Sequence, residues 1–238
     1  MKSEIKAVES QDIFNELNAK FTNNLKISLN DEKENLNRIE LKARKLPVIG
    51  QIIREKVEIS STQAELLVIF DEVFSDIITS IYFASCSLDK PAQIILRRAL
   101  ELGIAVVYMW DLPCVFWGWK NHDKDLNFNE MIEYLTDDSF RTYIEKINCN
   151  YKGQNIFNHS ETRNLYRKLS NTTHGKISTF ESNLPLRFSH NVNDWHYHLE
   201  LVEKVEDIIM ELWEKRFFYC LQELEKRTPS TQIMKRGK

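Results

Sequence analysis

A chain of 238 residues with 42% hydrophobic content is long enough to bury a sizeable core, as one large domain or two small ones. Its 6 Gly and 5 Pro are too few for a fold of many strands and turns, which leaves long helices. The net charge of −3 excludes a global basic field, so any contact with nucleic acid has to come from a local patch.

The 4 Cys (Cys86, Cys114, Cys149 and Cys220) form no C-x2-C pair and no short framework, and they read as reduced thiols of a cytoplasmic protein. The opening stretch, MKSEIKAVESQDIFNEL, is too polar for a signal peptide, and the most apolar run, 104–110, is too short to span a bilayer. A soluble protein with no membrane contact is expected.

Taken in order, residues 3–46 place Ile13, Leu17, Phe21, Leu36, Ile39 and Leu46 at helical spacing, with Asn-rich breaks near Asn23 and Asn30. They predict two helices that pack on the core or project as an arm, an N-terminal unit over 1–46 closed by Pro47 and Gly50. A long helix is predicted over 62–86, with a wide apolar stripe from Leu66 to Phe83. After a turn at 87–90, Pro91 is suited to the first position of the next helix, 91–110, capped by Ser87 or Asp89. Two long helices joined by a tight turn predict an antiparallel hairpin as the nucleus of a single bundle over 47–227.

Residues 111–126 read as a loop rich in aromatics (Phe116, Trp117 and Trp119) beside Lys120. Those rings either seal an end of the bundle or stack bases, the first being the commoner arrangement. Short helices follow at 129–136 and 138–147, then the helix 160–175, an irregular stretch at 176–192 holding Pro185 and Arg187, and a long helix at 194–227. The tail, 228–238, reads as mobile and basic. No segment alternates like a strand, and the fold class is all-α.

The helix 160–175, SETRNLYRKLSNTTHG, carries the chemistry. At about 100° per residue, Arg163, Arg167 and His174 fall within roughly 40° of one another, with Ser170 and Asn171 beside that line. A merely solvated face would more usually mix Glu with Lys. Ser160 is suited to cap the start, and Gly175 to end the helix in a left-handed conformation. An imidazole can carry a proton near neutral pH, and a guanidinium offers fixed charge in a fork matched to phosphate oxygens.

The spacing from Arg167 to His174 resembles the R-x4-6-H signature of HEPN-superfamily domains, and Tyr166-Arg167-Lys168-Leu169-Ser170-Asn171 with His174-Gly175 is similar to a helix of uncharacterised bacterial HEPN-like proteins. The resemblance implies a helical bundle that dimerises, brings two such helices into one composite site and cleaves RNA without metal or cofactor. Bacterial toxins and antiphage effectors, some with a partner protein, are of this type. By that resemblance His174 transfers the proton, Arg167 holds the phosphate, Asn171 or Ser170 orients, and Arg163 and Lys168 extend the substrate patch. Glu101, in the otherwise apolar helix 91–110, is expected to fix Arg167 from behind; the other reading is an Arg97–Glu101 pair at i,i+4. The alternative function is a non-catalytic module that binds a partner protein or a nucleotide. His190, His196 and His198 do not form a metal site on this reading, because His196 and His198 point about 200° apart on a helix.

Overall fold

The computed structural model describes residues 10–153, 155–176 and 188–228. The helices are α1 (Ser10–Asp31), α2 (Lys33–Ala43), α3 (Lys45–Lys56), α4 (Ser61–Leu66), α5 (Val68–Ser85), α6 (Asp89–Asp111), α7 (Pro113–Asn121), α8 (Phe128–Thr136), α9 (Asp138–Ile147), α10 (His159–Thr173), α11 (Val192–Arg216) and α12 (Leu221–Arg227), with a 3-10 turn at Phe218–Cys220. No strand occurs among the described residues, and the chain is all-α.

The core is built on α5 and α6, which share the most extensive helix contact, and α11 packs on both. Phe70 of α5 sits among the rings of Trp110, Trp213 and Phe217. Gly103 lets α11 come close, because a Cβ there would lie 2.6 Å from Ile209. In the same contact the Trp213 indole N–H donates to the Gly103 carbonyl at 2.7 Å. The turn between α5 and α6 is made by Ser87 at φ 61. Ser87 N–H donates to Ala84 O and Leu88 N–H to Phe83 O, so the last carbonyls of α5 are satisfied without a glycine. α6 begins at Asp89, two residues before Pro91, and Leu88 caps it without a side-chain bond. Proline is accepted at the third position because first-turn N–H groups lack helical partners anyway.

The N-terminal helices pack rather than project. α3 runs straight through Pro47 and Gly50, so the expected boundary after residue 46 falls inside a helix. Ile39, Ala43, Leu46, Ile49 and Ile53 share one buried cluster with Phe70 and Leu224. Buried Asn24 and Ser28 tie α1 to the end of α5 by donating to Cys86 O and Ser85 O.

Three further expectations change. The helix predicted over 62–86 is two, α4 and α5, bent at Leu67. The predicted loop at 111–126 contains α7, with Pro113 as its first residue. Phe116 is buried, the Trp117 indole donates to Thr62 Oγ1, and Lys120 pairs with Glu65, so these rings close the bundle against α4. The predicted helix 194–227 breaks at Phe217 into α11 and α12. Of the stretch expected to be irregular, residues 177–187, with Pro185 and Arg187, lie outside the described residues, as does all of the tail beyond Thr228.

Candidate functional site

Helix α10 is capped two residues earlier than expected. Its cap is Asn158, whose side-chain oxygen accepts from Glu161 N–H at 3.2 Å, while Ser160 lies inside the first turn and donates to Asn158. The far end matches the expectation. Gly175 adopts φ 58, Gly175 N–H donates to Thr172 O, and Lys176 N–H donates to Asn171 O. That pair of bonds ends the helix at His174, which becomes its last capping residue.

The inner face of α10 is pinned against α6 and α8. Thr162, Leu165 and Leu169 are buried. The Tyr166 ring stacks on Phe128 at 3.6 Å and 5°. Arg97 lies 4.8 Å from the centre of the Tyr166 ring and donates to its hydroxyl at 2.5 Å, while Thr172 donates to Gln93 at 2.6 Å. Gln93, Arg97 and Glu101, four residues apart on α6, form a polar seam beneath α10.

The outer face carries Arg163, Arg167 and His174, all exposed. Among the described residues neither arginine has a carboxylate partner. The side-chain contact of Arg167 is a 3.1 Å hydrogen bond to Asn164, a residue that sequence reasoning passed over although it sits one helical turn away. The Lys168 ammonium stands 4.6 Å over the Tyr197 ring of α11, so that cation is braced beside the face.

Two expected roles change. Ser170 is buried and its hydroxyl has no partner among the described residues; its backbone carbonyl accepts the His174 N–H. Asn171 is half-buried, with no side-chain hydrogen bond to His174 or Arg167 among the described residues. Glu101 does not hold Arg167; it pairs with Arg97 at 3.4 Å, as in the i,i+4 reading. Burial pushes the Glu101 carboxyl above its ordinary value, Arg97 opposes that, and Asp125 adds to it. α6 therefore reaches the motif helix through Arg97 and Tyr166. The Arg97 Nε is itself buried without a partner.

His196 and His198 have different partners, in keeping with their spacing, and His190 has a third. His190 faces Ser28. His198 is buried, and its Nε2–H donates to Ser80, whose own proton goes to Ala92 O. Burial pushes His198 down to about 4, so it is neutral in the fold. His196 lies between Asp31 and Glu32, at 2.7 and 3.1 Å. That cluster was invisible to spacing rules because its members are 165 residues apart in sequence. Cavities among the described residues include one of about 430 Å³, lined by Arg44, Arg54, Phe74 and Arg227, and one of about 180 Å³, lined by Arg38, Lys42 and Glu206. α10 lines neither.

No helix among the described residues is long and apolar enough to cross a membrane. Comparison with protein-family models, curated proteins and solved structures finds no match for this chain.

Proposed function

We propose that the chain is a metal-independent RNA endonuclease of HEPN type. One observation carries the reading: Arg163, Arg167 and His174 share a solvent-facing helix face without carboxylate partners, on a helix whose other side is fixed by stacking and hydrogen bonds. Unpaired guanidiniums held on a rigid element are preorganised for phosphate oxygens. His174 takes the proton of the ribose 2′-hydroxyl, whose oxygen attacks the adjacent phosphorus. The 5′-oxygen leaves and takes up a proton, and a 2′,3′-cyclic phosphate remains. Arg167 stabilises the charge on the phosphorane, and Arg163 and Lys168 hold the flanking backbone.

A single convex helix face offers one imidazole for two proton transfers. The reading therefore includes a homodimer in which two α10 faces meet, one His174 acting as base and the other as acid. The proposal extends, on the resemblance alone, to a cytoplasmic toxin or antiphage effector restrained by a partner protein. The rival, a module that binds a partner protein or a nucleotide through the same face, is favoured by the lack of any side-chain hydrogen bond from Ser170 or Asn171 to His174.

The deciding experiment is cleavage of varied RNAs in EDTA, comparing the natural chain with His174→Ala and Arg167→Ala. Cyclic-phosphate ends, and at least a hundredfold loss in each variant, are expected from the usual size of acid–base and charge contributions, about 10²–10⁴-fold. Activity that survives both substitutions, or RNA binding without cleavage, would sink the catalytic reading.

A further inference from the structure

We propose that Asp31, Glu32 and His196 form a binding site for one divalent first-row transition ion, such as Zn2+ or Mn2+, which clips the α1–α2 elbow onto α11. The three side chains come from two places in the chain, the junction of α1 with α2 and the first turns of α11. His196 Nε2 lies 2.7 Å from Asp31 Oδ2 and 3.1 Å from Glu32 Oε1, and one ligand atom from each residue lies within 4.8 Å of the others. An ion held at about 2.0–2.2 Å from nitrogen and oxygen ligands sets neighbouring ligand atoms about 3 Å apart in octahedral geometry. The two measured edges bracket that spacing.

The protein alone satisfies this cluster poorly. One imidazole Nε2 has a single hydrogen to offer, and it goes to Asp31. Glu32, although 3.1 Å away, gains no hydrogen bond from the imidazole. As the residue before α2, Glu32 could have capped that helix, yet it makes no side-chain capping bond and its carboxylate turns toward α11 instead. Asp31, at the last position of α1, puts negative charge at the helix end that disfavours it. No Lys or Arg pairs with either carboxylate among the described residues. A dication would offset both charges and let the neutral imidazole bind through its lone pair. Two carboxylates and one imidazole suit ions of intermediate hardness, with water completing the shell. The side chains are 30–42% exposed, so the ion and its waters can enter from solvent.

None of its three side chains belongs to the Arg/His face of α10, and the ion's role is structural, so the assignment is compatible with cleavage in EDTA. The test is calorimetric titration of Zn2+ into the full chain carrying Cys114→Ser and Cys149→Ser, which removes the two exposed thiols. One ion per chain is expected, with the affinity lowered at least tenfold by each of Asp31→Asn, Glu32→Gln and His196→Gln and unchanged by His174→Ala. At a hundredfold excess over Kd the melting temperature should rise by roughly 5–10 °C, and this rise should vanish in the three variants. Glu32→Gln is the decisive variant if His196→Gln disturbs folding, because Glu32 has no imidazole hydrogen bond to lose. Absence of binding, binding unaffected by the three substitutions, or binding abolished by His174→Ala would each overturn the assignment.

Discussion

Arg167 and His174 on α10 have counterparts of the same residue types inside the bundle, Arg216 and His198 on α11. Arg216 is buried and donates through Nε and Nη2 to both oxygens of Asp111, at 2.9 and 2.5 Å, with each side chain 8% exposed. His198 is buried and committed to Ser80. Arg167 holds one neutral amide and His174 no side-chain partner among the described residues. A guanidinium shut in with its carboxylate organises structure, because its charge is spent on the partner. A guanidinium on a rigid face with no carboxylate keeps its charge for a ligand. Residue type alone would have ranked the two pairs equally as candidates; their surroundings separate them.

The largest effect expected from breaking that contrast is Arg216→Met. It strands Asp111 as a buried, unpaired charge and should cost about 3–5 kcal/mol in urea unfolding. A loss under about 1 kcal/mol would mean the interior pair is not structural. Next comes Glu206, fully buried on α11, with neither side-chain oxygen bonded. Burial raises it from 4.5 to about 8, with Lys42 opposing. The folded state then holds a proton that the unfolded chain releases, so this stabilisation is complete below pH 4.5 and is lost as pH rises through 8. The slope approaches about 1.4 kcal/mol per pH unit. Glu206→Gln should flatten the decline, gaining about 2–4 kcal/mol on the natural chain between pH 5 and 8. His198 has the opposite sign. Its stabilisation is complete above its ordinary 6.5 and is lost as pH falls through about 4. A His198→Gln variant whose stability still falls over that acid window, as steeply as the natural chain's, would contradict the buried neutral assignment.

A smaller loss, about 1–3 kcal/mol, is expected for Gly103→Ala, whose methyl meets Ile209 and pushes α6 and α11 apart. Thermal melting reads it directly. The smallest effects should come from the outer face. Arg167→Ala and His174→Ala are expected to move stability by less than about 0.5 kcal/mol, because neither side chain is buried or ion-paired. A loss beyond 1 kcal/mol in either variant would show that the face serves the fold, and the contrast with α11 would collapse.

The features legible in the sequence were those written in local periodicity. The all-helical class, α9 with its bounds at 138–147, and the left-handed Gly175 all follow from residues close in sequence. Errors came where tertiary contact overrode local signals. Pro47 and Gly50 look like a stop, yet Pro47 falls in a tolerant first turn and α3 continues through Gly50 against α5. Asp111 and Pro113 look like the start of a loop, but α7 gains its order from Thr62 and Glu65, more than fifty positions upstream. At the candidate site, helical spacing put Arg163, Arg167 and His174 on one face, and all three are exposed. It could not show that Ser170, only about 20° from Arg163 around the helix, is buried. Nor could it choose between Arg97 and Arg167 as the partner of Glu101, since that depends on how one helix is rolled against another.

The packing of the N-terminal helices onto α11 has a consequence for how the chain is made. Arg38 meets Glu203, Lys42 meets Asp207 and Asp31 meets His196, each across 165 residues. At synthesis rates of about 5–20 residues per second, α1 and α2 leave the ribosome roughly 8–33 s before the helix that covers them exists. Throughout that interval α2, which carries Ile39 and Ala43, lacks the α11 part of its final surroundings. The nascent chain is therefore most open to misassociation early in translation, and slow codons between α2 and α11 would lengthen that exposure rather than relieve it.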